Sequence, residues 1–326
     1  MFDLTNPIYS DAAKARAYLE AIQWPDGPVC PHCGNVDQAR IAKIEGVKQS
    51  HRDGLYYCNE CKDQFTVTVG SVMERSHIPL NKWVLASHLM AASKKGVSAH
   101  QLMRTIGVTY KTAWFLAHRL REAMKDDLAT GQLGGAGMTV EADETYIGRM
   151  DDPKPSPQRK GKPFKQPSRA KRKRTVVALV ERGGSVRSFH VESATVSSVA
   201  AILTAHVDPA STLYTDESRL YPATGERFAA HETVKHTAGE YARYEGKKVI
   251  HTNTIENVFS VFKRGMHGIY QHCGEAHLHR YLAEFDFRYN RRSALGVGDQ
   301  ERSEDILRGA VGKRLTYRRI SGAAFA

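Results

Sequence analysis

Residues 138–148 read MTVEADETYIG, and residues 211–218 read STLYTDES. Each run places an aspartate, Asp143 or Asp216, among β-branched and aromatic side chains, which is the composition of a strand. A carboxylate drawn into such a strand is costly without a partner, and a divalent cation supplies one. A third stretch, HTNTIENVFSVFKRG at 251–265, has helical apolar spacing and carries Glu256 near its start. Lys263 follows two helical turns later and shares a face with Glu256 and Asn253, whereas Asn257 is rotated by ~100°. Carboxylates from two strands and one helix can hold two Mg²⁺ or Mn²⁺ ions ~4 Å apart, the arrangement for in-line attack on a phosphodiester. Asp143, Asp216 and Glu256 are therefore the candidate ligands, with Lys263 and Asn253 as candidate catalytic neighbours. Taken singly, each acid also fits a cap, a turn or a surface charge.

Working outward from these runs, TVVALVERGG at 175–184 and SVRSFHVES at 185–193 also read as strands, and VSSVAAILTAHV at 196–207 as a helix. Helical patterns return over 254–266 and 275–289. The resulting order, β-β-β-α-β-α, predicts a mixed sheet flanked by helices. GQLGGAG at 131–137 reads as a linker ahead of it. Residues 151–174, DDPKPSPQRKGKPFKQPSRAKRKR, are rich in proline, lysine and arginine and hold almost nothing that could build a core. That composition predicts a disordered basic insert. Lys171, Arg172, Lys173 and Arg174 are its candidate DNA contacts.

Upstream, CPHC and CNEC present Cys30, Cys33, Cys58 and Cys61 as two C-x-x-C pairs. Two such knuckles complete a tetrahedral four-thiolate site, which predicts a structural zinc ion in a zinc ribbon. The fifth cysteine, Cys273, stands alone. Ahead of the ribbon, 10–24 reads as an amphipathic helix capped by Ser10. After it come three helical segments between Pro79 and Met124. Gly96 is positioned to end the first, Ser98 to cap the second and Thr109 to cap the third. The short turn between the last two resembles a helix-turn-helix, whose second helix exposes Tyr110, Lys111, Thr112 and Arg119, with His118, to DNA. A plain three-helix bundle is the alternative.

The chain has 326 residues with 47 Lys plus Arg against 35 Asp plus Glu, a net charge of +12. That excess points to a polyanionic partner. Apolar residues form 41% of the chain, which excludes a disordered or fibrous protein. No apolar run approaches a membrane span and the start lacks a signal-peptide layout, so a cytoplasmic location is expected.

Longer motifs carry a resemblance. HTNTIENVFSVFKRGMHGIYQHC at 251–273 and HLHRYLAEFDFRYNRR at 277–292 resemble the catalytic end of bacterial insertion-sequence transposases of the DDE class. VEADETYIG and LYTDES are similar to that family's first two acidic motifs. The likeness runs from WPDG and CPHCG to GKRLTYRRISG, nearly the whole chain, and matches the group that joins a zinc ribbon to an ISXO-type transposase domain. It implies a multi-domain α+β protein with a ribonuclease-H-like catalytic core and two divalent metals held by Asp143, Asp216 and Glu256. It further implies cleavage at transposon ends and strand transfer into target DNA, by a dimer or larger assembly. The group varies its third ligand between glutamate and asparagine, and Asn253 and Asn257 flank Glu256. A stretch that includes His231, His236 and His251 also resembles the family, with structural or phosphate-contacting roles for these histidines. The expected division is 1–75 for the N-terminal helix and ribbon, 76–130 for the helix-turn-helix, 131–310 for the catalytic domain and 311–326 for a tail. A non-catalytic DNA-binding regulator and a structure-specific nuclease on the same fold are the rival expectations.

Overall fold

A computed structural model describes residues 3–45, 51–125, 131–148, 173–246 and 248–316. The chain divides into two compact units, Met1–Asp126 with Arg291–Ala326, and Asp127–Asn290.

The first unit opens with helix α1 (Ala12–Gln23). Its cap is Asp11 rather than Ser10, because the Asp11 carboxylate accepts the free N–H groups of Ala13 and Lys14. Three short strands follow, β1 (Ile41–Lys43), β2 (Tyr56–Cys58) and β3 (Asp63–Phe65), paired antiparallel in that order. Then come α2 (Leu80–Ala92), α3 (Ala99–Ile106) and α4 (Tyr110–Ala123). Helix α2 stops at Ser93, one turn before Gly96. Helix α3 is capped by Ser98, whose hydroxyl accepts the Gln101 N–H, and stops at Gly107, where φ is +63°. A side chain would be strained there, so glycine sets the turn into α4. Thr109 caps α4 as its sequence predicts, accepting the Thr112 N–H.

The C-terminal helix Asp299–Arg308 packs in this same unit, against α2 and α1. Ser87 donates to the Ser303 carbonyl at 3.1 Å, and Tyr18 to Glu304 at 3.0 Å. Residues 291–310 thus group with the N-terminal helices, although their sequence position attaches them to the third expected domain. Their buried apolar residues, Ile306, Leu307 and Ala310, are too few to signal a partner from sequence.

The second unit contains β4 (Thr139–Ile147), β5 (Arg174–Glu181), β6 (Val186–Val191), α5 (Val196–His206), β7 (Thr212–Asp216), α6 (Pro222–Gly225) and β8 (Ala230–Val234). The hairpin β9 (Arg243–Glu245) and β10 (Lys248–Ile250) precedes α7 (Asn253–Gly265) and α8 (Leu278–Asn290). The sheet runs β6-β5-β4-β7-β8, antiparallel across the first three strands and parallel from β4 to β8. This is the expected mixed sheet, extended by β8, with the hairpin as a separate two-stranded sheet. Alternate residues of β5 face opposite layers, as a strand requires. Val177 and Leu179 pack with Val199 and Leu203 of α5, while Val176, Ala178 and Val180 pack with Ile255, Phe259 and Phe262 of α7 and Phe285 of α8.

Residues 131–137 do not behave as a free linker. Leu133 is buried, its N–H donates to the His206 carbonyl at 2.7 Å, and Gly135 N–H donates to the Ser211 hydroxyl at 2.8 Å. The stretch is stitched to the ends of α5 and β7.

Candidate metal centres

The four cysteines come together. Cys30 and Cys61 sulfurs lie 3.6 Å apart, and those of Cys33 and Cys58 3.7 Å apart. Zinc–sulfur bonds of ~2.3 Å in a tetrahedron set sulfurs about 3.8 Å apart, so this donor set fits Zn²⁺. Backbone N–H groups of Cys61 and Glu60 help to hold the Cys58 thiol down, to about 6, favouring the thiolate that binds metal. Trp24, Tyr56 and Phe65 pack edge-on and stacked behind the knuckles. Among the described residues this is the one group of three or more metal-binding side chains whose ligand atoms all lie within 4.8 Å.

The acidic residues of the second unit gather differently. Strands β4 and β7 pair in parallel, with Glu141 opposite Tyr214. Two residues further along each strand stand Asp143 and Asp216, so both occupy one end of the sheet on one face. Burial pushes the Asp143 carboxyl up to about 8, and the charges of Asp216, Glu144 and Glu256 push the same way. Only the Glu144 N–H, at 2.7 Å, opposes them. Glu256 lies in the first turn of α7 with its side chain 47% exposed. Two helical turns on, Lys263 is half-buried, while Asn253 and Asn257 are exposed. The three candidate ligands therefore meet electrostatically but stand further apart than the cysteines. Glu144 belongs to the opposite face, where it accepts the hydroxyl of buried Tyr221 at 2.6 Å.

Glu141 plays a part that its sequence context hides. It is fully buried, and Thr252, at the start of α7, makes no capping bond with its own side chain. Glu141 takes that role from the neighbouring strand, accepting the Ile255 N–H at 3.0 Å and the Thr254 hydroxyl at 2.8 Å. The negative charge also complements the helix N-terminus. Arg182 closes the clamp, 2.7 Å from Glu141, and donates to the carbonyls of Val249 and His251 at 3.0 and 2.8 Å. Its guanidinium lies 4.6 Å over the Tyr214 ring. The strand bearing Asp143 thereby fixes the start of the helix bearing Glu256. An acid two residues from a candidate ligand, on the same face, was the available signal.

Three histidines attach to the same framework. His236 Nε2 lies 3.4 Å from Glu256 and 3.2 Å from the Thr252 hydroxyl. His251 Nδ1 stands 2.9 Å from Arg182, and burial with the Arg182 charge lowers its pKa. His231 Nε2 meets the Thr215 hydroxyl at 2.9 Å, one residue before Asp216. Gly225 admits that ring, since a Cβ there would stand 2.1 Å from His231 Nδ1.

The candidate DNA contacts divide. Tyr110 is 45% exposed and stacks on His100, Lys111 is exposed and Thr112 half-buried. Arg119 is held by the carbonyls of Glu74 and Leu315, both at 3.2 Å. His118 is buried beside Trp114 and not displayed, because its face of α4 forms the helix packing. Lys171 and Arg172 lie outside the described residues. Lys173 is exposed, but Arg174 is buried. Its register position opposite Ile147 turns the guanidinium inward, onto the Cys273 carbonyl, rather than toward a DNA backbone.

Comparison with known proteins adds lineage. Residues 132–290 match the family described as ISXO2-like transposase domain, and residues 10–64 match the transposase zinc-ribbon domain. The chain is 29% identical over 291 residues to an uncharacterized protein in transposable element ISH50 of Halobacterium salinarum, covering 86% of this chain and 92% of that protein. The Mos1 transposase paired-end complex with left transposon end aligns over 64% of this chain and 76% of that chain, at 11% identity and a TM-score of 0.20. A pre-cleavage Mos1 transpososome aligns over 59% and 72%, at 8% identity and a TM-score of 0.19. Among the described residues, no helix is long and apolar enough to cross a membrane.

Proposed function

The chain belongs to the insertion-sequence transposases that join a transposase zinc ribbon to an ISXO2-like transposase domain, and on that premise we propose that it cuts and joins DNA through Asp143, Asp216 and Glu256. The observation that carries this reading is the pair of aspartates on neighbouring strands at one end of the sheet, where burial and the charges of Asp216, Glu144 and Glu256 hold the Asp143 carboxyl up at about 8. Carboxylates forced together in this way are a signature of a site built for divalent metal.

In this reading the second unit is a ribonuclease-H-like core. Asp143 and Asp216 would hold Mg²⁺ or Mn²⁺ between neighbouring strands, and Glu256 would complete the shell from α7. Two such ions, when bound, supply positive charge at the attacking and leaving oxygens of an in-line displacement. The residues do the rest. The Glu141–Arg182 clamp fixes the start of α7 and with it the place of Glu256 in the helix's first turn. Lys263 steadies a DNA phosphate on the same helical face. His236 partners the Glu256 carboxylate until metal and DNA engage it. Water first opens a phosphodiester at the transposon end, leaving a 3′-hydroxyl, and that hydroxyl then displaces an oxygen at a phosphorus of target DNA. One phosphorus–oxygen bond forms for each that breaks, so no nucleotide cofactor is consumed. We assign end recognition to the ribbon and to α3–α4 as a helix-turn-helix, and pairing of two ends to a dimer or larger assembly.

The test is joining of a labelled, pre-cleaved transposon end in Mg²⁺ beside a gel-shift control. Asp143→Asn, Asp216→Asn and Glu256→Gln should each abolish joining with DNA binding intact. Near-normal joining by Glu256→Gln beside a dead Asn253→Ala or Asn257→Ala would move the third ligand to that asparagine.

A further inference from the structure

Within the first unit, a cleft of about 270 Å³ opens between the segment that precedes α2 and the first three turns of α4. Its lining includes Arg75, His77, Lys111 and Arg119, and contains no carboxylate. Its remaining wall is largely apolar, with Trp83 and Phe115 the aromatic members. Arg119 is a fixed cation, pinned by two carbonyls with its guanidinium 4.7 Å over the Phe115 ring. Glu74 stands 3.7 Å from Arg75 and 3.8 Å from Arg314, a single carboxylate beside Arg75, Arg119 and Arg314, so the locality keeps an excess of positive charge. Arg75 sits at φ +55°, a conformation few non-glycine residues adopt. Beyond it, Ser76 accepts the Ile78 N–H at 3.2 Å and the Trp83 indole N–H at 3.3 Å, which fixes the shape of the rim.

Cations alone would suit a bare phosphate on a flat face. A concave apolar wall beneath them gives a phosphate nothing and makes its desolvation costly. Small-molecule pockets begin near 300 Å³ and pair apolar walls with a few polar groups, so this cleft has room for one small unit. The ligand that uses both features is a planar aromatic base joined to a phosphate.

We propose that this cleft binds a single unstacked nucleotide, its base against Phe115 and its phosphate between Arg75, Lys111 and Arg119. The inference rests on the reading of the chain as a DNA-binding transposase, and it adds a single-strand site where a helix-turn-helix alone would offer duplex contact. Stacking of one base on an aromatic side chain commonly changes affinity by about tenfold or more.

The experiment uses the full, zinc-loaded chain. A single-stranded oligonucleotide carrying one 2-aminopurine, the same sequence as a blunt duplex, and free deoxyadenosine monophosphate are titrated in parallel. Binding to the single strand should alter 2-aminopurine fluorescence. Arg75→Ala and Phe115→Leu should each weaken single-strand binding about tenfold, with duplex binding changed less than about twofold. Melting temperatures of both variants, matched to the parent, exclude misfolding as the cause. Saturable binding of the free nucleotide, lost in the same variants, would support the cleft with a free nucleotide as its source, whereas its absence assigns the site to a DNA strand. Equal losses on strand and duplex, or none on either, overturn the proposal. A parent chain that binds neither form of DNA overturns the transposase reading of this unit instead, and loss of joining in Asp143→Asn leaves the cleft measurement untouched.

Discussion

The ribbon and the acidic end of the sheet both gather metal-binding side chains, yet they do so in opposite ways. In the ribbon, three strands of three residues each support the cysteines, of which only Cys58 lies in a strand, and five buried side chains, two of them cysteines, form the local core. So small a core cannot hold four thiols together without a staple, so the metal organises the protein. At the acidic end, a sheet buried on both faces and two long helices exist independently of any ion. There, in the reading proposed above, the protein would organise the metal, its packed sheet and helices holding the acids in place. The lesson concerns geometry as well as energy. The thiols sit at tetrahedral spacing, whereas the acids do not close to within 4.8 Å of one another as a group.

Removing the ligands of each site should expose that contrast. Cys30→Ser, or zinc chelation, should unfold the ribbon outright, since structural zinc contributes about 10–16 kcal/mol in comparable small modules. Hydrogen exchange should show the Ala42 and Tyr57 amides losing protection while those of β4 and β5 keep it. Retained protection around β1 and β2 after zinc loss would erase the distinction between the two sites. Next in size is Glu141→Ala, which leaves Arg182 unpaired over Tyr214 and uncaps α7. A cost of about 3–5 kcal/mol is expected in urea unfolding, the usual penalty for breaking a buried ion pair. A change below 1 kcal/mol would mean that α7 is positioned by its apolar face alone.

The smallest effect has the opposite sign. Asp143 has a folded pKa near 8, above the ordinary carboxylate value, so its contribution to stability is present at pH 4 and lost as pH rises toward 8. Asp143→Asn should therefore raise the melting temperature of the metal-free second unit at pH 8 by about 2–5 °C and do little at pH 4. Saturating Mg²⁺ should close the gap by stabilising the parent only. A variant that melts lower at pH 8 would falsify the account of Asp143 as a carboxyl raised by burial and by its acidic neighbours.

Much of this was legible in the chain. Cysteine spacing announced the ribbon, and the strand and helix patterns around Asp143, Asp216 and Glu256 gave the elements that carry them. What stayed hidden shares one physical cause, dependence on contacts remote in sequence. Strand β8 has mostly half-buried residues, AHETV, and lacks alternating apolar signal because it lies at a sheet edge. The clamp joins Glu141 to Ile255 across 114 positions. Arg174 looks like the end of a basic run, but its pairing opposite Ile147 makes it an interior residue. The short Ser93 ending of α2 and the cap at Asp11 are choices between near neighbours that composition does not rank.

The register of β4 on β5 has one more consequence, for how such a chain can change. Ile147 opposes Arg174, and pairing continues unbroken to Val140 opposite Glu181. Gly148 and Lys173 stand next to that closing pair, one after Ile147 and one before Arg174. Eight consecutive pairs, from Val140–Glu181 to Ile147–Arg174, hold Asp143 in place, so a change of sequence between 148 and 173 meets a closed ladder before it reaches that residue. A peptide tag inserted between residues 148 and 173 is therefore expected to leave Asp143 opposite Ala178, a register that hydrogen exchange of the β4 and β5 amides would read.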